Sequence, residues 1–117
     1  MSNNILLERG KVVVALRTAR AAAGWNQEEF AQLMGVAKTT VARIETLEMS
    51  AKAEYLSRAL RLFREVGIEV DLSEIDNVPI KVSMLAVAKA VEDLQDVNKR
   101  RKDRRTGIAA LLPDNEV

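Results

Sequence analysis

NQEEFAQLMGVAKTTVARIE, Asn26 to Glu45, is the stretch whose reading decides the fold. Asparagine is a favoured N-cap because its side-chain oxygen accepts from a free amide in the first helical turn. A glutamate three residues on can accept from the cap's own N–H in return. Asn26 and Glu29 stand in that relation, so NQEE predicts a helix start closed by a capping box. Phe30, Leu33 and Met34 then share one helical face. Gly35 ends the helix at a position suited to left-handed backbone. A second helix is predicted from about Lys38, with Val41 and Ile44 turned inward beside Val36. Lys38, Thr39, Ala42 and Arg43 fall on its opposite face, and Ala31 is small where two helices must cross closely.

Working outward, Lys11 to Ala23 reads as a firm helix. Val12 or Val13, Leu16, Ala19 and Ala23 form its buried stripe, and Gly24 is its stop. Before it, Ile5 to Arg9 is an extra helical turn or a short arm, with a break expected at Gly10. Trp25 precedes the cap, where a large apolar residue staples onto the helix and Phe30 is its expected partner. Downstream, Thr46 to Met49 is a short loop. Ser50 is expected to cap a helix from Ala51 to about Val66, with Tyr55, Leu56, Ala59, Leu60, Leu62 and Phe63 inward. Arg58, Arg61 and Arg64 line a solvated side, and Gly67 closes the helix.

After Gly67 the apolar period falls from that of a helix to two. Ile68, Val70 and Leu72 alternate with acidic residues, and Val78, Ile80 and Val82 alternate with Pro79, Lys81 and Ser83. That pattern predicts a hairpin with Ser73–Asn77 as a five-residue connection, and Pro79 implies a strand with one unpaired side. A lone hairpin is marginal and its apolar face needs a cover, which a second subunit could supply. Ser83 caps a last helix from Met84 to about Lys99, striped by Leu85, Ala88, Val91 and Leu94, with Val87 and Val97 beside them. KRRKDRR, Lys99 to Arg105, follows, and then a short mixed end.

Composition narrows the chemistry. The 117 residues contain no cysteine and no histidine. Disulfides, His/Cys zinc sites, cysteine nucleophiles and Ser–His pairs are therefore excluded. Phosphate-cradling glycine loops of the GxxxxGK[ST] or GxGxxG type are absent as well. Neither a cofactor nor a metal nor an enzymatic activity is expected. No run of about 18 apolar residues occurs, so the reading is of a cytoplasmic protein without a membrane span. Aromatics make up 3%, so the core must be largely aliphatic. The net charge of +1 hides an asymmetry: residues 1–64 hold ten Lys/Arg against six Asp/Glu, residues 65–96 two against eight, and residues 97–117 six against three. A basic first half and a basic tail around an acidic middle suit one surface facing DNA and another turned away.

The spacing of Gln27, Ala31, Gly35, Val41 and Ile44 resembles the helix-turn-helix of the Cro and lambda-repressor (XRE-type) family over about Leu16 to Leu62. The resemblance implies a mainly α fold: a four-to-five-helix lambda-repressor-like DNA-binding domain, here followed by a β-hairpin and a C-terminal helix. It also implies a second helix lying in the DNA major groove. Lys38, Thr39 and Arg43 would then face base edges, where Arg and Lys can reach guanine O6 and N7 and Thr can contact the thymine methyl. Gln27, Thr40 and Arg17 would hold phosphates, and Arg20 would pair with Glu45 to tie the first helix to the end of the reading helix. Ala37 departs from the family's usual Ser or Thr cap, and Glu48 stands where a phosphate binder is often found. The organisation expected is residues 1–66 as the DNA-binding unit, 67–98 as a dimerisation element and 99–117 as a basic tail. Ile68, Val70, Leu72, Val78, Ile80, Val82, Leu85 and Val91 are the candidate dimer contacts. The leading function is a homodimeric repressor of a palindromic double-stranded DNA operator. An antitoxin that binds a toxin and represses its own operon stays open, as does a protein-interaction module without DNA binding.

Overall fold

The computed structural model describes residues 3–96 and 98. Among them the elements run α1 (Asn3–Ala23), α2 (Gln27–Met34), α3 (Lys38–Glu45), α4 (Ala53–Glu65), β1 (Ile68–Val70), β2 (Ile80–Val82) and α5 (Met84–Gln95). The fold is mainly α: a bundle of four helices, then a two-stranded antiparallel hairpin, then a C-terminal helix. Its core gathers Leu16 and Ala19 of α1, Phe30, Ala31 and Met34 of α2, and Val41 and Ile44 of α3. Tyr55, Ala59 and Phe63 of α4, Ile68 of β1 and Ala86 of α5 complete it. The hairpin and α5 thus share one core with the preceding helices instead of forming a detached unit.

All four aromatic rings of the chain stand in one group. Trp25 stacks on Phe30 at 6.0 Å and on Phe63 at 5.9 Å between centroids. Phe30 and Phe63 lie nearly parallel at 5.5 Å, and Tyr55 meets Phe30 edge-on at 6.5 Å. Trp25 immediately precedes the N-cap and Phe30 is the fourth helical residue, so the predicted staple is present. Trp25 is half-buried and also lines a cleft with Ala23, Val66, Leu85 and Ala86, between α1, α4 and α5.

Several expectations need correction. α1 does not break at Gly10 but runs unbroken from Asn3. A helical glycine costs about 1 kcal/mol, and the turns on either side are held by long-range bonds: Arg9 Nη2 donates to the Leu47 carbonyl at 3.1 Å, and Lys11 Nζ to the Glu74 carbonyl. Leu33, expected inward with Phe30 and Met34, is 48% exposed, because α2 buries only a narrow stripe. Ser50 does not cap α4. Lys52 is its N-cap, without a side-chain bond, while Ala51 packs against the core.

The hairpin is shorter than its alternation suggests. β1 and β2 pair antiparallel with Ile68 opposite Val82, Glu69 opposite Lys81 and Val70 opposite Ile80. Leu72 and Val78 lie outside the strands, so the connection is longer than five residues. The ladder closes with the Asp71 N–H donating to the Pro79 carbonyl at 2.9 Å. Proline has no N–H to return that bond. Beyond it, Asp71 Oδ1 accepts from both the N–H and the hydroxyl of Ser73, which turns the chain out of the extended path. These two bonds, led by the hydroxyl, hold the Asp71 carboxyl below its usual pKa. At the other end Gly67, at φ +88°, brings α4 against the cap of α5. A Cβ there would collide with Ser83 Oγ.

α5 ends at Gln95, not near Lys99. The expectations for Val97 and for residues 99–117 lie outside the described residues. Ser83 caps α5 as expected, accepting from the Ala86 N–H at 3.3 Å. The packed face is not the predicted stripe, however. Ala86 is buried, whereas Leu85, Val87, Val91 and Leu94 are exposed. Among the candidate dimer contacts, Ile68 is fully buried within the subunit, and Val70 and Ile80 pack on the same core. The hairpin's apolar face is therefore covered mainly by α1 and α4 of its own chain.

Candidate nucleic-acid interface

The two helices of the opening stretch are set by local chemistry first. Asn26 accepts from the Glu29 N–H at 2.7 Å and Glu29 Oε1 accepts from the Asn26 N–H at 2.9 Å, completing the capping box. Gly35 closes α2 in the left-handed region at φ 72°, and the Val36 N–H returns to the Ala31 carbonyl at 3.0 Å. A long-range cation finishes the same end: Arg58 Nη1 donates to the Met34 carbonyl at 2.6 Å while Nη2 pairs with Glu54 at 2.9 Å. The solvated face expected for Arg58 is thus only half of its role, because its guanidinium also caps the turn between the two helices.

α3 is anchored at its inner face and at its C-terminal end. Val41 and Ile44 are buried. Glu45, the last helical residue, has a side chain 3% exposed and accepts from Arg20 Nε and Nη2, both at 2.8 Å. This is the bidentate fork geometry that suits guanidinium and carboxylate. Gln27 Nε2 adds a third bond to Glu45 Oε1 at 3.1 Å, and Arg20 Nη1 donates to the Trp25 carbonyl at 2.9 Å. One carboxylate thereby joins α1, the first residue of α2 and the end of α3. A buried anion at a helix C-terminus opposes the helix dipole, and the paired guanidinium offsets that cost. Tyr55 lies behind this pair, its hydroxyl buried without a hydrogen-bond partner. Burial, then the negative charge of Glu45, push its pKa up to about 12, against the opposing pull of Arg20.

The exit from α3 carries a strained residue. Leu47 has φ 68°, the left-handed region that non-glycine residues avoid. The N–H groups of Glu48 and Met49 both return to the Arg43 carbonyl, at 2.8 and 3.1 Å, and Arg9 holds the Leu47 carbonyl. Sequence reasoning missed both this clamp and the Gln27–Glu45 bond. The first joins residues 38 apart and leaves no periodic signal.

The outward face of α3 is what this frame presents. Lys38, Thr39 and Arg43 are exposed, and Thr40 and Ala42 half-buried. Ala37 caps the helix without a side-chain bond, and its first turn contains no acidic residue. Its N-terminal amides and positive dipole end therefore meet no competing carboxylate, a setting suited to a phosphate. α2 differs: its first turn holds Glu28 and Glu29, and one amide proton of Gln27 is committed to Glu45. Arg17 is exposed on α1, three residues before Arg20. Among the described residues, no cluster of acidic side chains could hold a metal, and no helix is long and apolar enough to cross a membrane.

Residues 16–70 match the family model described as Helix-turn-helix. The match takes in the last two turns of α1, the whole of α2 to α4, and β1. No curated protein and no solved structure matches the chain significantly.

Proposed function

From a chain that belongs to the helix-turn-helix family of the Cro/lambda-repressor (XRE) type, and so is a DNA-binding transcription regulator, we propose a finer reading. It is a homodimeric repressor that reads a twofold-symmetric operator with one α3 per half-site. The observation that supports this is the pairing of a fixed frame with a free face. Val41, Ile44 and Glu45 lock α3 from behind, while Lys38, Thr39 and Arg43 stand in solvent with no partner among the side-chain hydrogen bonds and ion pairs of the described residues.

Lys38 and Arg43 are the base-reading residues in this proposal, with Thr39 at a thymine methyl. Thr40, Gln27 and Arg17 position the backbone, and the free first turn of α3 adds its amides. One recognition helix reads only a few base pairs, so a second copy is needed to reach operator-scale selectivity, with half-sites about 34 Å apart. The exposed side chains of Val82, Leu85 and Val91 are the contact surface for that second copy. A competing occupant of the same surface is an unlike protein, as in the antitoxin reading. Pull-down of randomised duplex DNA followed by sequencing tests the proposal. The expected result is a palindromic motif with half-sites one helical turn apart. Enrichment of no motif would overturn sequence-specific reading, and an asymmetric single half-site would overturn the symmetric operator.

A further inference from the structure

This inference rests on the homodimer reading and names the way two copies meet. In an antiparallel pair, alternate residues direct their N–H and C=O groups toward the partner strand and the others away from it. Ser83 N–H donates to the Gly67 carbonyl at 2.8 Å and Asp71 N–H to the Pro79 carbonyl at 2.9 Å, with Glu69 opposite Lys81 between them. Pro79, Lys81 and Ser83 are therefore the residues of the second strand that face β1. Ile80 and Val82 direct their backbone groups outward, and Val78 continues that alternation.

The two edges of the sheet are not alike. On β1 the outward-directed Ile68 is fully buried, with α4 and α1 packed beside the strand. On β2, Val82 is 42% exposed and leads directly into Met84 and Leu85, which are 77% and 70% exposed. A bare edge is a template for strand addition unless it is covered or charged. Lys81, the one charged residue of β2, projects from the face opposite Ile80 and Val82, so it does not interrupt the apolar side chains on theirs.

We propose that β2 pairs antiparallel with β2 of a second copy, about a twofold axis at Ile80, making one four-stranded sheet across the dimer. Three features select a second copy and this register. First, the N–H that Pro79 lacks belongs on the β1 side, so the outer edge loses no donor. Second, an axis at Ile80 sets Ile80 against Ile80 and Val78 against Val82, an apolar ladder on one face, while Lys81 meets Pro79. An axis at Lys81 would instead oppose two lysines, which is unfavourable. Third, three residue pairs alone fall well short of the roughly 800 Å² per partner that a stable interface needs. The helix that follows β2 carries exposed apolar side chains that can supply the remainder, Val91 and Leu94 at 48% and 60% in addition to Met84 and Leu85. The strand edge fixes the register and α5 contributes the area.

Amide hydrogen exchange on the full chain, read by NMR at high and low protein concentration beside sedimentation velocity, tests this. The Ile80 and Val82 amides should be protected in the dimer and lose at least tenfold of that protection on dilution to monomer. The Lys81 amide, bonded within the subunit, should change far less. As a second reading, Ile80→Cys in this cysteine-free chain should oxidise to a linked dimer faster than Lys81→Cys. A sedimenting dimer with unprotected Ile80 and Val82 amides overturns the strand pairing and leaves the homodimer reading standing. A monomer at every concentration overturns both.

Discussion

Arg20→Ala should cost this protein a large share of its stability. Glu45 has a side chain 3% exposed and accepts three bonds, two of them from Arg20. Removing the guanidinium leaves a buried carboxylate with one neutral amide as its donor. Breaking one side of a buried pair costs about 3–5 kcal/mol. The Arg20 side chain is 17% exposed, so water can enter the vacated space, and the lower end of that range applies. For a domain of this size each kcal/mol moves Tm by about 4–8 °C, so a loss of about 3 kcal/mol should appear in calorimetry as a fall of about 12–24 °C. The partner experiment removes both charges. Arg20→Met with Glu45→Leu should melt well above Arg20→Ala, because an apolar pair strands no charge. If Arg20→Ala lowers Tm by less than about 4 °C, or if the double variant is the sum of its parts, the pair does not hold α3 in place and the reasoning fails.

Four further outcomes are expected. Arg43→Ala and Lys38→Ala should each lower affinity for the selected operator by about 1–3 kcal/mol with Tm nearly unchanged, since both side chains are exposed; equal weakening on random duplex would make the residue a phosphate contact. The single tyrosine should titrate near pH 12 by its absorbance at 295 nm. Its folded pKa lies above the unfolded value, so this contribution, at most about 3 kcal/mol, is fully present below pH 10 and is lost as pH rises from about 10 toward 12; a midpoint near 10 with the fold intact would contradict the burial argument. Leu47→Gly should leave the urea midpoint unchanged or raise it, because relief of left-handed strain, about 1–2 kcal/mol, offsets the backbone entropy of glycine, whereas Leu47→Val should lower it. Deleting residues 99–117, which hold six Lys/Arg, should flatten the slope of log affinity against log salt by about 0.9 for each phosphate the tail neutralises, without altering the preferred sequence.

What is legible in the sequence follows from the range of each interaction. The capping box of Asn26 and Glu29, the left-handed Gly35 and the Trp25 staple join residues a few positions apart, and spacing alone reveals each of them. The Arg20–Glu45 pair comes from family resemblance, since nothing in the local pattern joins residues 25 apart. The Arg9 clamp on Leu47 has neither source. Periodicity identifies α5 as amphipathic but does not say which side meets the subunit. The small Ala86 packs inward while Leu85 and Leu94 face out. The hairpin's length misleads for a related reason: alternation continues through Leu72 and Val78, but the ladder stops where Pro79 has no donor to give.

The gathering of Trp25, Phe30, Tyr55 and Phe63 has a practical side for anyone who works with this protein in solution. With one tryptophan, one tyrosine and two phenylalanines in the chain, near-ultraviolet dichroism and intrinsic emission both originate from a single spot. That spot lies under α2 and α4, so an optical signal is a detector aimed at the core and at the root of α5. Docking of DNA on the far face of α3 should pass nearly unseen, whereas detachment of α5 uncovers Trp25 and should redden its emission. A titration with operator that leaves fluorescence flat is thus no sign of failed binding, and anisotropy of a label on the DNA is the appropriate readout.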